Sequence, residues 1–238
     1  MQSPLAILYP PQCVSCGETI ADDHGLCGKC WAQTPFITGH ICDRCGAPLP
    51  GESDGESDLC DDCMKIARPW SRGRAALIYT GNARRIVLQI KLSDRLDLVP
   101  SAAFWMVRAG REILAGDALL VSIPAHWTRV FSRRYNQASE LARAIARQTG
   151  LGFAPTALTR PHRTEKQEGK GLDGRFANVR DAIRPHPRRG AILKDRRVVL
   201  IDDVMTSGAT LAAAADACLA AGAEDVATLT LARTVKDA

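Results

Sequence analysis

The sequence predicts an α/β protein in which a parallel sheet flanked by helices follows a small cysteine-rich module. Two observations support this prediction. Beyond residue 68, short apolar runs alternate with segments of helical periodicity, which is the pattern of a parallel sheet and its crossover helices. Within the first 63 residues, eight of the nine cysteines form four Cys-x-x-Cys pairs. We therefore expect the chain to divide into a module at residues 1–67 and a larger domain at residues 68–238.

The elements of the larger domain can be placed from hydrophobic periodicity and from the residues that end helices. The predicted strands are 75–80, 118–123 and 198–201, with weaker candidates at 155–158 and 227–231. The predicted helices are 82–92, 96–109, 136–149 and an Ala-rich helix opened by 205–210. Pro100 is tolerated near a helix N-terminus, and Gly150 stops a helix. Residues 160–197 have no clear period and much charge, so they predict a flap or hairpin beside a site.

Residues 198–210, Val-Val-Leu-Ile-Asp-Asp-Val-Met-Thr-Ser-Gly-Ala-Thr, contain the strongest functional signal of the chain. Four apolar residues predict a buried strand, and Asp202 and Asp203 follow at its carboxyl end, where open α/β sheets bind ligands. The next loop contains Gly208 and opens a helix, so it offers backbone N–H groups to an anion. Carboxylates suit sugar hydroxyls or a phosphate-bound magnesium ion. A ligand with both a phosphate and a polyhydroxylated ring satisfies both demands.

This segment resembles the motif that binds 5-phosphoribosyl 1-pyrophosphate (PRPP) in type I phosphoribosyltransferases, and it matches at all thirteen positions. The resemblance implies a type I phosphoribosyltransferase fold for residues 68–238. It also implies that Asp202 and Asp203 hold the ribose hydroxyls and that magnesium accompanies PRPP. The residues expected to cradle the phosphate are Thr206, Ser207, Gly208, Ala209 and Thr210. The alternative, from the residues alone, is a buried strand whose aspartates cap the next helix.

The four Cys-x-x-Cys pairs predict two structural zinc sites, because two such pairs supply the four sulfurs of one tetrahedral site. Gly17 and Gly46 follow the first and third pairs, where glycine allows a tight turn with positive φ. The repeat groups the ligands as Cys13, Cys16, Cys27 and Cys30, and as Cys42, Cys45, Cys60 and Cys63. A crossed arrangement, with the pairs alternating between the two ions, is the alternative and breaks the repeat.

Disulfide bonds are the competing explanation for these cysteines. Residues 1–11 have neither a basic start nor a small-residue cleavage site, so we expect no signal peptide and a cytoplasmic protein. Thiols stay reduced in the cytoplasm, and this favours a metal. His24 and His40 lie nearby in the sequence but are not expected to be ligands, since eight cysteines already fill both sites.

Charge is distributed unevenly along the chain, whose formal net charge is +5. Residues 1–67 contain 3 Lys or Arg and 10 Asp or Glu, whereas residues 68–238 contain 28 basic and 16 acidic residues. A strongly basic domain attracts phosphates and polynucleotides. The acidic module argues against a zinc-ribbon transcription factor, because binding a polyanion requires the opposite charge. The sequence contains no run of 18 apolar residues, so no membrane span is expected.

A second candidate surface follows the strand predicted at 118–123. In type I phosphoribosyltransferases the loop after this strand holds pyrophosphate, whose departure requires positive charge nearby. The corresponding candidates for pyrophosphate or nucleic acid are Arg129, Arg133, Arg134, Asn136 and Gln137. Tyr135 lies among them and is suited to stack on a base while the arginines contact phosphates.

Together with the zinc ribbons, these motifs make the chain similar to the ComF family, whose members join a double zinc ribbon to a type I phosphoribosyltransferase domain. The family's signatures correspond here to residues 133–137, 163–167 and 198–210. Tyr79, Gly81 and Lys91 match a further pattern of the family, and Lys91 joins the candidates for pyrophosphate or nucleic acid. Arg134 stands where the family usually has glycine, which removes a flexible turn.

The resemblance implies a role in natural competence, in which incoming single-stranded DNA is handled in the cytoplasm. The expected partners are PRPP, single-stranded DNA and other DNA-uptake proteins such as a helicase. Two classes of function stay open. The chain is either a phosphoribosyltransferase that releases pyrophosphate from PRPP, or a non-catalytic accessory protein that senses PRPP or a nucleotide or binds DNA. Asp202 and Asp203 serve ligand binding in both classes, so they do not distinguish between them.

Overall fold

A computed structural model of the chain shows a four-stranded parallel sheet with helices on both faces and two small cysteine-rich ribbons packed against one edge. The residues that the structure describes are 10–21, 25–53, 55, 57–125, 135–161 and 182–235. The predicted α/β architecture is therefore confirmed, with its parallel sheet, its flanking helices and its N-terminal ribbons.

The strands of the described residues are β1 (Arg72–Ile78), β2 (Leu119–Ser122), β3 (Leu158–Thr159), β4 (Arg184–Pro185), β5 (Arg197–Met205) and β6 (Asp225–Arg233). Four of them form the parallel sheet in the order β1-β6-β5-β2, and the two-residue strands β3 and β4 pair antiparallel. Strands β5 and β6 are central, and their carboxyl ends lie level with that of β1, since Met205 and Ile78 both pair with Arg233. The carboxyl ends of the strands are where parallel sheets bind ligands.

The α-helices are α1 (Gly28–Ala32), α2 (Asp61–Lys65), α3 (Gly81–Leu92), α4 (Val99–Ala109), α5 (Gln137–Thr149) and α6 (Ala209–Ala220). Two 3₁₀ helices occupy Leu96–Leu98 and Gly190–Leu193. Pro100 lies in the first turn of α4, as expected from its missing N–H group. Gly150 ends α5 in the left-handed conformation, with φ of 76°. The predicted helices thus agree closely with the structure, except that the first turn of 96–109 is 3₁₀.

The strand predicted at 198–201 is longer than the sequence suggests. It runs on to Met205, and its pairing with β6 continues through Asp202 opposite Thr230 and Met205 opposite Arg233. Asp202 and Asp203 therefore lie inside the strand instead of following it. Their poor strand propensity is overridden because the ladder with β6 satisfies the backbone of the whole segment.

The segment 160–197, predicted as a flap or hairpin, follows β3 and contains β4. These two strands pair, with Leu158 opposite Pro185 and Thr159 opposite Arg184. The residues that follow β4 form the 3₁₀ helix and lead directly into β5. Residues 162–181, the middle of the segment, lie outside the described residues.

The hydrophobic core has two halves, one on each face of the sheet. Alternate residues of β5 pack in the two halves of the core: Val198 and Leu200 lie in one half, whereas Val199 and Ile201 lie in the other. This division explains an unbroken apolar run, because a central parallel strand is covered on both sides. Helices α3, α4 and most of α5 pack in the half of the core that contains Val199 and Ile201. Helix α6 packs in the other half, together with residues of the second ribbon.

The ribbons cover the exposed edge of strand β1. The backbone N–H of Ile37 donates to the carbonyl of Ala76 at 2.9 Å, and the N–H of Ile78 donates to the carbonyl of Pro35 at 2.9 Å. An uncovered edge would be free to pair with another chain. The division expected at residue 67 therefore separates two parts of the chain that share hydrogen bonds and core.

None of the helices in the described part of the chain combines the length and the apolar character needed to cross a membrane.

Candidate functional site

The eight paired cysteines form two separate clusters. The members of the first are Cys13, Cys16, Cys27 and Cys30, and those of the second are Cys42, Cys45, Cys60 and Cys63. Within each cluster all four sulfurs lie within 4.8 Å of one another, and every cysteine is free of disulfide bonds. The sequential grouping of the pairs is confirmed, and the crossed arrangement is excluded.

The geometry of both clusters fits zinc. Four sulfurs at about 2.3 Å from a tetrahedral zinc ion lie about 3.8 Å apart. The sulfurs of Cys16 and Cys27 are 3.7 Å apart, and those of Cys45 and Cys60 are 3.5 Å apart. These separations are far longer than the bond of a disulfide, about 2.05 Å. The two four-cysteine clusters are therefore structural zinc sites.

Local backbone conformation brings the sulfurs together. Gly17 and Gly46 have φ of 79° and 68°, and each N–H donates to the carbonyl of the first cysteine in its pair. The predicted positive-φ turns are thus present. Cys27 and Cys60 are the N-cap residues of the short helices α1 and α2, which place the last cysteine of each cluster one turn further on.

The two clusters differ in burial. Cys42 and Cys45 are 0% and 1% exposed and belong to the core, whereas Cys16 is exposed to solvent. In the second cluster, hydrogen bonds from Cys45 and Cys63 lower the pKa of Cys42 well below its usual range, so one thiolate forms readily. A thiolate is the form of cysteine that binds metal.

His40 is not a metal ligand. Its imidazole binds Asp58 at 2.9 Å through Nε2 and the carbonyl of Pro50 at 3.0 Å through Nδ1. This agrees with the expectation from the sequence. His24 lies outside the described residues.

The acidic pair is the centre of the candidate ligand site. Asp203 and Lys91 form an ion pair, with 2.8 Å between Oδ2 and Nζ, and the Asp203 side chain is 13% exposed. Lys91 belongs to the last turn of α3, which packs beside the carboxyl ends of β1 and β6. Burial alone would lower the pKa of Lys91, but the charge and hydrogen bond of Asp203 raise it, so the lysine is a cation. The structure thus joins two residues that lie 112 positions apart.

Asp202 has a different environment from its neighbour. Burial and then the adjacent charge of Asp203 raise the pKa of Asp202 to about 7, against the opposing charges of Lys91 and Arg160. The Oδ1 of Asp202 also accepts a hydrogen bond from the backbone N–H of Asp203 at 2.9 Å. Arg160 follows β3, at the base of the segment predicted as a flap. The two carboxyl groups are therefore unequal: Asp203 is paired with Lys91, whereas the pKa of Asp202 is about 7.

The loop expected to hold phosphate is shorter than predicted. Met205 ends β5 and Ala209 begins α6, so the connection consists of Thr206, Ser207 and Gly208. Ala209 and Thr210 form the first turn of the helix, where their N–H groups precede the regular helical hydrogen bonds. Thr206 is exposed, whereas Ser207 and Gly208 are buried.

Gly208 is required by both conformation and space. Its φ is 81°, a left-handed value that favours glycine. A Cβ at this position would lie 2.8 Å from Nη1 of Arg68 and 2.8 Å from Cε of Met205. The loop therefore packs directly against the side chains of Arg68 and Met205.

Arg68 and Trp70 support this loop, and the sequence analysis missed both. Nη1 of Arg68 donates to the carbonyl of Ser207 at 2.7 Å, and its guanidinium lies 5.5 Å from the centre of the Trp70 ring. Trp70 is 1% exposed. Neither residue belongs to a motif, so the only signal was an arginine and a tryptophan that closely follow the last Cys-x-x-Cys pair.

Two of the remaining candidate site residues, Asn136 and Gln137, make hydrogen bonds within the protein. Asn136 caps α5, accepting from the N–H of Ala138 at 3.2 Å, and its amide donates to the carbonyl of Ile123 at 2.9 Å. Gln137 is buried and donates to the carbonyl of Lys91 at 3.4 Å. Gln137 thus contacts the residue that pairs with Asp203, and the contact of Asn136 and Gln137 with a ligand stays a prediction. Arg129, Arg133 and Arg134 lie outside the described residues.

Tyr135 is tethered at its hydroxyl group. The hydroxyl oxygen lies 3.0 Å from the carbonyl oxygen of Ile90 and 2.7 Å from Oδ1 of Asp94, and its single hydrogen is shared between these two acceptors. Its ring is partly exposed. Stacking of this ring on a base stays a prediction.

Two family models match the chain. The family model of the double zinc ribbon domain matches residues 4–70, and that of the phosphoribosyl transferase domain matches residues 136–237. The chain is 28% identical to DNA utilization protein YhgH of Salmonella typhi, over 96% of this chain and 100% of that protein. It is 24% identical to Competence protein F of Haemophilus influenzae, over 84% of this chain and 87% of the relative. It is 27% identical to Competence protein ComFC of Bacillus subtilis, over 89% of this chain and 85% of that relative.

Fold, metal clusters and matches together define a phosphoribosyltransferase-domain protein with an N-terminal double zinc ribbon. The chain is similar over most of its length to two competence proteins, and the resemblance noted in the sequence is confirmed by these relatives and by the two matched domains.

Proposed function

We propose that this protein binds PRPP with magnesium at the carboxyl ends of the strands of its parallel sheet. The observation that supports this most directly is the adjacency of two elements. The unequal pair Asp202 and Asp203, with Lys91, lies at the end of β5, and the glycine-containing loop follows three residues later. Carboxyl groups recognise ribose hydroxyls, and free N–H groups at a helix start recognise phosphate. PRPP carries both chemical groups, together with a pyrophosphate.

Each residue then has a separate task. Asp202 and Asp203 accept hydrogen bonds from the ribose hydroxyls, and the N–H groups of residues 207–210 surround the 5′-phosphate. Lys91 pairs with Asp203 and adds positive charge near the pyrophosphate. Magnesium, when bound with PRPP, neutralises the pyrophosphate oxygens and is a hard cation suited to phosphate and carboxylate oxygens.

The biological role that we propose is in natural competence, with single-stranded DNA as a further partner. Three relatives support it by name, since one is called a DNA utilization protein and two are called competence proteins. The basic character of residues 68–238 also supports it, because a positive surface attracts polynucleotides. A location in the cytoplasm and contacts with other DNA-uptake proteins, such as a helicase, belong to the same proposal.

Ligand binding can be tested in the full chain by calorimetry with magnesium and PRPP. We expect native protein to bind and the variant Asp202→Asn, Asp203→Asn to bind at least about tenfold more weakly, since a hydrogen bond to a charged group contributes about 1.5–3 kcal/mol. Asp225→Asn is the matched control, because Asp225 lies at the amino end of β6, far from the carboxyl ends of the strands, and accepts a hydrogen bond from Ser71. Equal affinity in native protein and double variant, or no binding by native protein, would remove the ligand assignment.

Catalysis requires a separate experiment. In a transferase, a nucleophile attacks C1 of the ribose and pyrophosphate leaves, whereas a sensor or accessory protein binds PRPP unchanged. Incubation with PRPP, magnesium and a panel of bases distinguishes the two outcomes by the release of pyrophosphate. Stoichiometric pyrophosphate and a new glycosidic bond indicate a phosphoribosyltransferase. Binding without turnover for every base indicates the non-catalytic class.

A further inference from the structure

A short connection links the second zinc cluster to the phosphate loop. Cys63 is the last ligand of that cluster, and Arg68 follows five residues later. Cys42 raises the pKa of Cys63, and the Arg68 guanidinium opposes this increase. The same guanidinium donates to the Ser207 carbonyl at 2.7 Å. One guanidinium group therefore interacts with both sites.

The position of Arg68 is fixed by its neighbours. The guanidinium packs against the ring of Trp70. Trp70 in turn exchanges two hydrogen bonds with Arg44: its indole N–H donates to the Arg44 carbonyl, and the Arg44 guanidinium donates to the Trp70 carbonyl. Arg44 lies inside the Cys42–Cys45 pair. The aromatic support of Arg68 is thus attached to the same zinc cluster.

A second contact joins the same two regions. Arg233, at the end of β6, is 3% exposed, and its Nη1 lies 3.4 Å from the sulfur of Met205. Its positive charge also acts on Cys45 of the second cluster. Met205 immediately precedes the loop and shares a core cluster with Cys42 and Cys45. Met205, at the start of the loop, therefore lies in the same half of the core as the second zinc cluster.

The bond to Ser207 also orients the loop. In a trans peptide unit the carbonyl and the following N–H point in opposite directions. Because Arg68 holds the Ser207 carbonyl, the N–H of Gly208 is directed away from the zinc cluster. Without this bond the peptide unit is free to rotate, and the N–H group loses its fixed orientation.

We propose that the second zinc site and the phosphate loop are energetically coupled through Arg68, which is a positioning residue for the ligand. This inference rests on the proposed binding of PRPP at the loop. A four-cysteinate zinc site is formally −2, and it attracts the guanidinium and fixes the chain that leads to it. Zinc in this site then raises the affinity for PRPP, and bound PRPP raises the affinity for zinc by the same factor, since coupling between two sites is reciprocal.

The first zinc cluster has other neighbours and serves as an internal control. It contacts the start of α3, where the hydroxyl of Ser15 donates to Asn82 at 2.7 Å and Asn82 donates to Thr34 at 2.8 Å. Among the described residues, no contact of this cluster reaches the phosphate loop. The coupling is therefore specific to the second site.

The test uses the full zinc-loaded chain, the variant Arg68→Met and a matched variant, Arg108→Met, at an exposed position of α4. Hydrogen exchange of the amides at 206–210 and the rate of cysteine alkylation in the presence of a chelator are measured without ligand. We expect Arg68→Met to speed amide exchange in the loop and alkylation of the second cluster, on the order of tenfold. Alkylation of the first cluster should stay unchanged, and Arg108→Met should behave as native protein.

The same proteins are then titrated with magnesium and PRPP. Arg68→Met should weaken binding on the order of tenfold, whereas Arg68→Lys, which keeps a charged donor, should recover part of the affinity. Saturating PRPP should protect only the second cluster of the native chain. Unchanged exchange and alkylation in Arg68→Met overturn the coupling, even if PRPP binds. Altered exchange and alkylation without PRPP binding leave the coupling in place and overturn the ligand assignment instead.

Discussion

At the scale of single residues, the candidate site places one lysine beside two carboxyl groups. Lys91 pairs with Asp203, and Asp202 retains a proton up to a pKa of about 7 because it is buried beside that charge. Two adjacent carboxylates of equal charge would repel each other, and the unequal environments relieve this. A ligand that donates hydroxyl hydrogens to Asp202 favours its ionised form, so we expect binding to release a proton near neutral pH.

The raised pKa of Asp202 predicts an effect on stability. The unfolded chain loses this proton near pH 4, whereas the folded protein keeps it to about pH 7. Between these values the folded state binds more protons, so its free energy of unfolding falls as the pH rises. Asp202→Asn removes this loss. We expect the variant to be more stable than native protein at pH 7.5 by about 1–3 kcal/mol, with a smaller difference near pH 5.5.

Denaturant unfolding of both proteins at several pH values measures this difference, with Asp225→Asn as control. A difference that grows towards low pH contradicts the assignment.

Gly208 gives a second prediction at this scale. Gly208→Ala forces a side chain into a left-handed conformation and against Arg68 and Met205. Gly150 has a similar φ, 76°, but nothing within 4 Å of its Cβ position, so Gly150→Ala reports the conformational strain alone. We expect the Gly150 variant to lose about 1–2 kcal/mol of stability. The Gly208 variant should lose more and should also lose PRPP affinity.

Thermal unfolding and calorimetry separate these two effects. If both variants lose the same stability and keep the same affinity, the packing of Gly208 on Arg68 has no part in holding the loop.

At the scale of elements, the connection between β2 and α5 depends on one amide side chain. Asn136 caps α5 with its oxygen and ties it to the carbonyl of Ile123 with its nitrogen. The described residues on either side of 126–134 are therefore joined by the Asn136 side chain. This segment contains the arginines predicted to bind pyrophosphate or nucleic acid.

The two bonds of Asn136 can be separated by substitution. Asn136→Ala loses both and should cost about 1–2 kcal/mol of stability. Asn136→Asp keeps the capping oxygen and loses only the bond to Ile123, so it should cost less. Chemical unfolding of both variants tests this order, and the reverse order would show that the cap contributes little.

At the scale of the whole molecule, the ribbons are part of the fold and not an appendage. They pair with the edge of β1, and the second zinc cluster lies inside the core beneath α6. Metal-binding energy therefore stabilises the larger domain as well as the ribbons. The first cluster, with its exposed Cys16, lies nearer to solvent.

This arrangement predicts two zinc ions per chain with unequal importance. Elemental analysis of reductively purified protein should find two. Cys13→Ser with Cys16→Ser should release one ion and unfold mainly the first ribbon. Cys42→Ser with Cys45→Ser should release the other and lower the unfolding temperature of the whole chain, because Cys42 and Cys45 are buried in its core. One ion or none in the native protein, or equal effects of the two double variants, would contradict this prediction.

The charge asymmetry gives a prediction for nucleic acid. Oligonucleotide binding by the full chain should weaken as salt rises, with about 0.7 added to the slope for each phosphate neutralised on a single strand. Arg133→Gln with Arg134→Gln should lower that slope by about one unit. Arg108→Gln with Arg111→Gln, at exposed positions on and just after α4, is the control. A slope that survives loss of Arg133 and Arg134 assigns this pair to pyrophosphate alone.

The sequence by itself determined the elements whose causes are local. Alternating periodicity placed most helices within a residue or two, Gly150 marked the end of α5, and paired cysteines with following glycines defined both zinc sites. The thirteen-residue motif identified the acidic pair and the loop. These features depend on contacts between near neighbours in the chain, so the order of residues is sufficient to predict them.

The tertiary structure decided what depends on residues far apart in the chain. Strand β5 runs through Asp202 and Asp203 because β6 supplies its backbone partners, and Asp203 meets Lys91 only because α3 packs beside these strands. Arg68 resembles an ordinary charge in a linker until the fold places it between Cys63 and Ser207. Such contacts are fixed by how layers pack, and the packing energy is shared over the whole core. No local pattern of residues encodes them.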